Sequence, residues 1–355
     1  MTRGDAVVDG LKARATPVVR GLLYEEFTPG RTFRHHWGRT ITESDNSSFV
    51  ALTLSYNPLY FNREYVRAHG LEPDLCHPML AFLVAFGLSV EDLSELGGPF
   101  LGVDRLRFHR RVRVGETITA NSTVISRRLS RSRPDTGIVT WLTRGWVGGE
   151  LALSFERTNL VVLAGSASDL PSPDHPAPGA VSSPEATVPA DWEVHRSREI
   201  SDMTGDTYAE TYGIGSVLKH QRGKTITAAD HTLLTHIAMN TAQDHFNEHF
   251  VQDGEFKSKP VFGGVTASLV LGLATQDTAE TALWESELTG VRLHRPVFEG
   301  TTVYACSELI GAGEGPTPDT ATRTWTHYGL DAQDRLLFQG TRSIVVKRAS
   351  HWSSR

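Results

Sequence analysis

Hydrophobic positions follow two different periods along the chain, and each period occurs twice in the same order. Residues 41–54 and 226–239 start with Thr and Asp, which favour helix N-termini, and continue with apolar positions at helical spacing. Residues 80–93 and 265–279 are apolar nearly all round, the pattern of a helix buried on most sides. Runs rich in β-branched and aromatic residues at 116–125, 137–147 and 150–162, then at 301–310, 323–330 and 336–347, predict three long antiparallel strands after each buried helix, with one further strand earlier in each half. Residues 1–20 have weak periodicity and read as a loosely held arm. Residues 165–190 are dense in Pro, Ser, Ala and Gly and lack an apolar face, so they read as a linker between units at 20–164 and 191–348.

The two halves repeat each other. A constant shift of 185 positions pairs GRTIT at 38–42 with GKTIT at 223–227, Asp45 with Asp230, Phe61 with Phe246 and Asn62 with Asn247. The same shift pairs Arg107 with Arg292, His109 with His294, Gly115 with Gly300 and Arg157 with Arg342. Register held across separated blocks indicates internal duplication. One buried helix among strands in each copy predicts an α+β unit, a sheet wrapped around a helix, and two such units side by side would fuse their sheets.

Composition narrows the function only by exclusion. The 355 residues suffice for two ordinary cores. With 39% hydrophobic and 21% charged residues and a net charge of −6, the chain has the make-up of a soluble globular protein and no electrostatic signature of a nucleic-acid or membrane partner. Cys76 and Cys306 form no CxxC motif and read as reduced thiols. The N-terminus has no apolar signal core and the longest apolar run, residues 79–88, is about half a membrane span, so the expected location is cytoplasmic.

The candidate reactive stretch is residues 239–247, MNTAQDHFN, where a helix-like run ends and Asn240 and His245 follow five positions apart. On a continuous helix that spacing turns side chains by about 140°, so both can face one small molecule only if the helix ends between them. The stretch therefore predicts helix end, turn, then His. An imidazole with an ordinary pKa near 6.5 suits proton transfer at neutral pH, whereas an amide cannot be a base but can accept a hydrogen bond from water and donate another. His245 and His249 lie four apart with Glu248 between them, but the nearby strands offer no clear third ligand, so no metal is expected.

YEEFTPGRTF followed by ITESD, the strand segments RFHRRVRVGETI and RLHRPVFEGTTV, and TLSYNPLYFN at 53–62 resemble the MaoC-like family of hot-dog-fold hydratases in its double hot-dog form, over residues 24 to 347. The last segment is similar to the family's D-x-N-P-x-H motif, with Ser55 in place of Asp, Asn57 and Pro58 kept, and Tyr60 in place of His. Serine and a phenol with an ordinary pKa near 10 cannot supply the base, which marks the first half as the degenerate copy. MNTAQDHFN, VFGGVTASLVLGLA and RPVFEGTTVYACSEL resemble the mesaconyl-CoA hydratases, also called β-methylmalyl-CoA dehydratases.

The resemblance implies reversible hydration of an enoyl thioester, on a short branched or dicarboxylic acyl-CoA such as mesaconyl-CoA. Coenzyme A enters as part of the substrate, and no other cofactor is implied; the sequence leaves an acyl chain on a carrier protein open as the thioester in its place. His245 and Asn240 are then the catalytic candidates, and Gly263 and Gly264 the loop entering the central helix, where backbone N–H groups suit a developing enolate oxygen. Arg131 and Arg133 in SRSRP, and Lys257 and Lys259 in KSKP, are candidates for the phosphates of coenzyme A or for ordinary solvated loop charge. Two alternatives stand beside this reading. A hot-dog thioesterase would need a carboxylate on the central helix, and Asp277 and Glu91 sit late in theirs; a non-catalytic acyl-CoA binding protein would fit the missing Asp in both copies. Two units in one chain make a monomer sufficient for the fold and leave a homo-oligomer open.

Overall fold

The computed structural model describes residues 3–165, 184–189, 203–254 and 256–352, so most of the expected linker and its boundary at 191 lie outside the described residues. A first helix, α1 (Arg3–Lys12), is exposed on every side described, in keeping with an arm. The first half continues as β1 (Thr32–Thr40), α2 (Glu43–Thr53), α3 (Arg63–Ala68), α4 (Pro78–Leu88), α5 (Val90–Leu93), β2 (Phe100–Phe108), β3 (Thr117–Leu129), β4 (Thr136–Val147) and β5 (Glu150–Val162). The second half repeats the plan as β6 (Val217–Thr225), α6 (Ala228–Ile237), α7 (Glu248–Val251), α8 (Gly263–Thr278), β7 (Ala282–Leu293), β8 (Thr302–Glu314), β9 (Thr320–Leu330) and β10 (Leu336–Lys347), and ends in the short α9 (Ala349–Trp352).

The strands form one ten-stranded antiparallel sheet in the order β1-β3-β4-β5-β2-β7-β10-β9-β8-β6, symmetric about the β2–β7 pair. Duplication is visible in the pairing itself. Thr32 lies opposite Thr123 and Val217 opposite Glu308, each residue 185 positions after its counterpart, and both ladders are interrupted at the matching places, Arg34/Gly38 and Lys219/Gly223. Thr42 and Thr227 start α2 and α6 through reciprocal bonds with Asp45 and Asp230, so each short helix begins two residues later than its apolar pattern suggests.

Three expectations need correction. The apolar run at 80–93 is two helices that meet at Ser89. Each half has five strands rather than four, because β2 and β7 are strands whose interior charges are satisfied across the junction between the halves: Arg107 with Glu287 (2.9 Å) and Arg292 with Asp104 (2.8 Å). Those charges mask the strand pattern. Finally, α8 begins at Gly263, so both glycines belong to its first turn rather than to a loop before it.

The central helices α4 and α8 are buried along most of their length, as their all-round apolarity requires. Each presses on the other half through one glycine. A Cβ on Gly87 of α4 would run into the carbonyl oxygen of Ala238 at the end of α6, and a Cβ on Gly272 of α8 into the carbonyl oxygen of Thr53 at the end of α2. Buried polar bridges also repeat: His35 on β1 joins Asp92 (2.6 Å) to Ser122 (2.9 Å), and His220 on β6 joins Asp277 to Ser307 (both 2.7 Å). Both serines are fully buried, so these His–Asp–Ser sets tie helix ends to the sheet rather than meet a ligand.

Gly87→Ala and Gly272→Ala are each expected to lower unfolding free energy by about 1–3 kcal/mol in urea titrations, as overpacking does, while Gly10→Ala on the exposed α1 changes it by less than about 1 kcal/mol.

Candidate active site

The helix α6 stops at Ile237, and Met239 then takes a left-handed conformation (φ 58°), as Leu54 does at the matching place in the first half (φ 59°). The chain turns there, and a short 3-10 turn at Gln243–His245 follows. The helix therefore ends before Asn240, not between Asn240 and His245. Both residues line a cavity of about 220 Å³ at the junction of the two halves. The first half supplies Phe86, Gly97–Phe100, Arg157 and Asn159, and the second supplies Asn240, Asp244, His245, Gly263 and Thr266 with residues 293–297. Thr241 Oγ1 donates to Glu95 of the first half and holds the turn against it.

His245 is oriented by the backbone. Its Nδ1 lies 2.9 Å from the carbonyl oxygen of Pro260, an acceptor only, so Nδ1 carries a proton and in the neutral ring the lone pair sits on Nε2. Asp244 Oδ1 lies 3.7 Å from that Nε2 and is buried without a hydrogen-bond partner among the described residues. Asn240 is 4% exposed, and its Oδ1 accepts the N–H of Ala242 (3.0 Å). That bond uses one lone pair of Oδ1 and leaves Nδ2 as the donor Asn240 can offer a ligand.

The first turn of α8 has no side-chain cap. Phe262 occupies the N-cap, Val265 and Thr266 N–H return to its carbonyl (2.9 and 3.2 Å), and the N–H groups of Gly263 and Gly264 have no partner among the described residues. Gly263 lines the cavity, and a Cβ there would press on Leu293 and Phe100. Gly264 is turned to the interior, where a Cβ would collide with Leu83 of α4.

The corresponding place in the first half is closed. Tyr60, at the position of His245, is 7% exposed, and burial pushes its phenol far above the ordinary value, so it stays protonated. The helix α4 starts with Pro78, which has no N–H, and the N–H of Met79 is capped by His77 Nδ1 (3.1 Å). The remaining cavity is about 20 Å³, walled by Trp284 with Arg111 over its ring. Trp284 stands where the open half has Pro99.

Among the cationic candidates, Lys257 is exposed on the rim loop between Phe256 and Pro260, both of which line the cavity, and Lys259 pairs with Glu248 (2.9 Å). Arg131 and Arg133 lie in the β3–β4 hairpin and are not among the lining residues.

The profile of the mesaconyl-CoA hydratase family matches residues 4–348. The chain belongs to this family. A mesaconyl-CoA hydratase of Haloarcula marismortui is 29% identical over 350 residues, covering 96% of this chain and 94% of that protein. A β-methylmalyl-CoA dehydratase of Chloroflexus aurantiacus is 30% identical over 305 residues, 84% of each chain. The crystal structure of a protein assigned as a MaoC-domain dehydratase from Chloroflexus aurantiacus superposes with a TM-score of 0.81 at 25% identity, covering 94% of this chain and 99% of that one. A Mycobacterium tuberculosis protein described as a double hotdog fold gives a TM-score of 0.74 at 20% identity, covering 92% and 98%, which bears on fold alone. The fold is thus a double hot-dog of the MaoC-like type.

Among the lining residues that the sequence does not single out as a site are Asp244, Thr266, Arg157 and Arg295. Thr266 is 1% exposed, and its Oγ1, like Asp244 Oδ1, has no partner among the described residues. The repeat held a signal for the first two, since the matching positions in the closed half are the apolar Leu59 and Ala81. Nitrogen-detected NMR of histidine-labelled protein above neutral pH is expected to show His245 as the Nδ1–H tautomer. An Nε2–H tautomer would remove the lone pair from the cavity and contradict this geometry.

Proposed function

We propose that the chain reversibly adds water to the double bond of a short, branched or dicarboxylic enoyl-CoA, mesaconyl-CoA being the substrate its relatives' names point to, at a single site in the second half. Family membership makes it an enoyl-CoA hydratase/dehydratase, a hydro-lyase. The observation that carries the assignment of residues is that one cavity collects a lone pair on His245 Nε2 and an uncapped helix N-terminus at Gly263.

In the hydration direction, Asn240 Nδ2 donates to the oxygen of a water molecule and leaves its hydrogens facing His245 Nε2 and Asp244 Oδ1. His245 takes one proton as the hydroxyl adds to the β-carbon. Charge moves to the thioester oxygen, where the N–H of Gly263 and the positive end of α8 stabilise it. The proton on His245 then passes to the α-carbon, so one water is consumed and the histidine is restored; dehydration runs the same steps backward. A cavity of about 220 Å³ is smaller than the roughly 300–1,000 Å³ of sites that enclose whole ligands. It suits a short acyl group, with the nucleotide part of coenzyme A outside against Lys257, Lys259 and Arg295. The two carboxylates considered for a thioesterase are engaged elsewhere: Asp277 of α8 is bound to His220, and Glu91, on α5 rather than on the central helix α4, to Arg20.

The test is incubation with mesaconyl-CoA and crotonyl-CoA while following enoyl absorbance and free thiol. Absorbance loss without thiol is expected, and thiol release would point to a thioesterase. His245→Ala is expected to lower the rate by about 10²–10⁴-fold, while Tyr60→Phe leaves it unchanged. Loss of activity in Tyr60→Phe with a folded protein would place chemistry in the first half and contradict the assignment.

A further inference from the structure

Arg157 is a cation enclosed in the wall of the cavity with no carboxylate paired to it among the described residues. It is 1% exposed, its Nε donates to Asn159 Oδ1 (2.9 Å), its Nη atoms donate to Ser89 Oγ (3.0 Å) and Ser94 Oγ, and its guanidinium lies 4.0 Å over the ring of Phe86. All three hydrogen-bond acceptors are neutral, and among the described residues no carboxylate pairs with it. A guanidinium has five N–H donors, so two remain. A buried cation without a counter-charge is costly, so an anion that reaches these two donors gains both their hydrogen bonds and the charge pairing.

The duplication supplies an internal control. Arg342, 185 positions later, is equally buried, but there Glu285 pairs with it directly. The position that matches Glu285 in the first half is Phe100, an apolar residue that lines the open cavity. One copy of the ancestral arginine is thus neutralised by the chain and its cavity is filled. In the other copy the counter-charge is missing, and the cavity beside the arginine is open and continuous with His245 and Gly263.

We propose that Arg157 binds a carboxylate carried on the acyl chain of the substrate, beyond the double bond, and so selects dicarboxylic over aliphatic enoyl thioesters. This rests on the reading of the cavity as an acyl-CoA site. The carboxylate takes the two remaining N–H donors, one on each Nη of Arg157, on the side where Phe100 replaces Glu285 of the closed half, and Phe86 and Phe100 exclude water around the pair. The guanidinium is held in place before the ligand arrives, because Asn159, Ser89 and Ser94 fix its plane.

The test uses two saturated thioesters that cannot be hydrated, methylsuccinyl-CoA and 2-methylbutyryl-CoA, which differ by a carboxylate against a methyl group. Wild-type protein is expected to bind the first on the order of 100-fold more tightly by calorimetry. In Arg157→Gln that preference is expected to vanish through loss of affinity for methylsuccinyl-CoA alone, and Arg157→Lys is expected to restore part of it. Equal affinity of the wild type for the two esters would overturn the proposal without use of any variant. Equal loss for both esters in a folded Arg157→Gln protein would make the residue structural and overturn it as well. Because binding and turnover are read separately, a wild type that discriminates between the esters yet hydrates no enoyl-CoA leaves the carboxylate site standing and removes the hydratase reading instead.

Discussion

The close approach of each central helix to the opposite half sets the position of everything at the cavity. Gly87 of α4 lies so near the end of α6 that any side chain would strike the carbonyl oxygen of Ala238, and a Cβ there would also come within 3.0 Å of Asn240 N. The turn that carries Asn240 and His245 therefore rests directly on the first half's buried helix, next to Phe86 in the cavity wall. The β2–β7 junction and the Arg107–Glu287 and Arg292–Asp104 pairs hold the same interface from the sheet side. A site whose reactive groups come from one half and whose wall comes from the other can exist only while this contact is kept.

The symmetric frame makes the chemical asymmetry easy to read. At the start of one central helix, Pro78 and His77 remove or occupy the backbone donors; at the start of the other, Gly263 leaves its donor open. A protonated, buried Tyr60 stands against a histidine with a defined lone pair. Trp284 and Glu285 fill the space and neutralise Arg342 in one half, where Pro99 and Phe100 leave room beside Arg157 in the other. Each difference acts locally, yet together they convert one ancestral cavity into packing and leave its twin open.

Much of this was legible in the chain because it is local. Thr42 and Thr227 mark helix starts that close as capping boxes within four residues, and the end of an apolar helical run near Met239 signals the turn, whereas its exact place, before Asn240 with Met239 left-handed, shows only in the folded chain. The bodies of strands β2 and β7 were hidden, only their ends at Arg107 and Arg292 being read as strand, because Asp104 and Glu287 break the apolar pattern until their partners across the junction are known. The same holds at the site. Asn240 and His245 stand out by type and spacing, whereas the weight of Asp244, Thr266 and Arg157 comes from burial without an adequate partner, a property that only the folded chain has. Loop cations carry no record of the opening they face: Lys257 lies on the loop between the lining residues Phe256 and Pro260, and Arg131 in a hairpin outside the lining.

The central claim is that duplication left one working acyl-thioester site per chain, at the uncapped start of α8. Its most direct test is the stoichiometry of butyryl-CoA binding by calorimetry on protein of known active concentration. The account predicts one equivalent per chain, lost when Gly263 is replaced by a residue whose side chain fills the cavity. Two equivalents per chain, or one that survives that replacement and disappears when the Tyr60 pocket is altered, would contradict it.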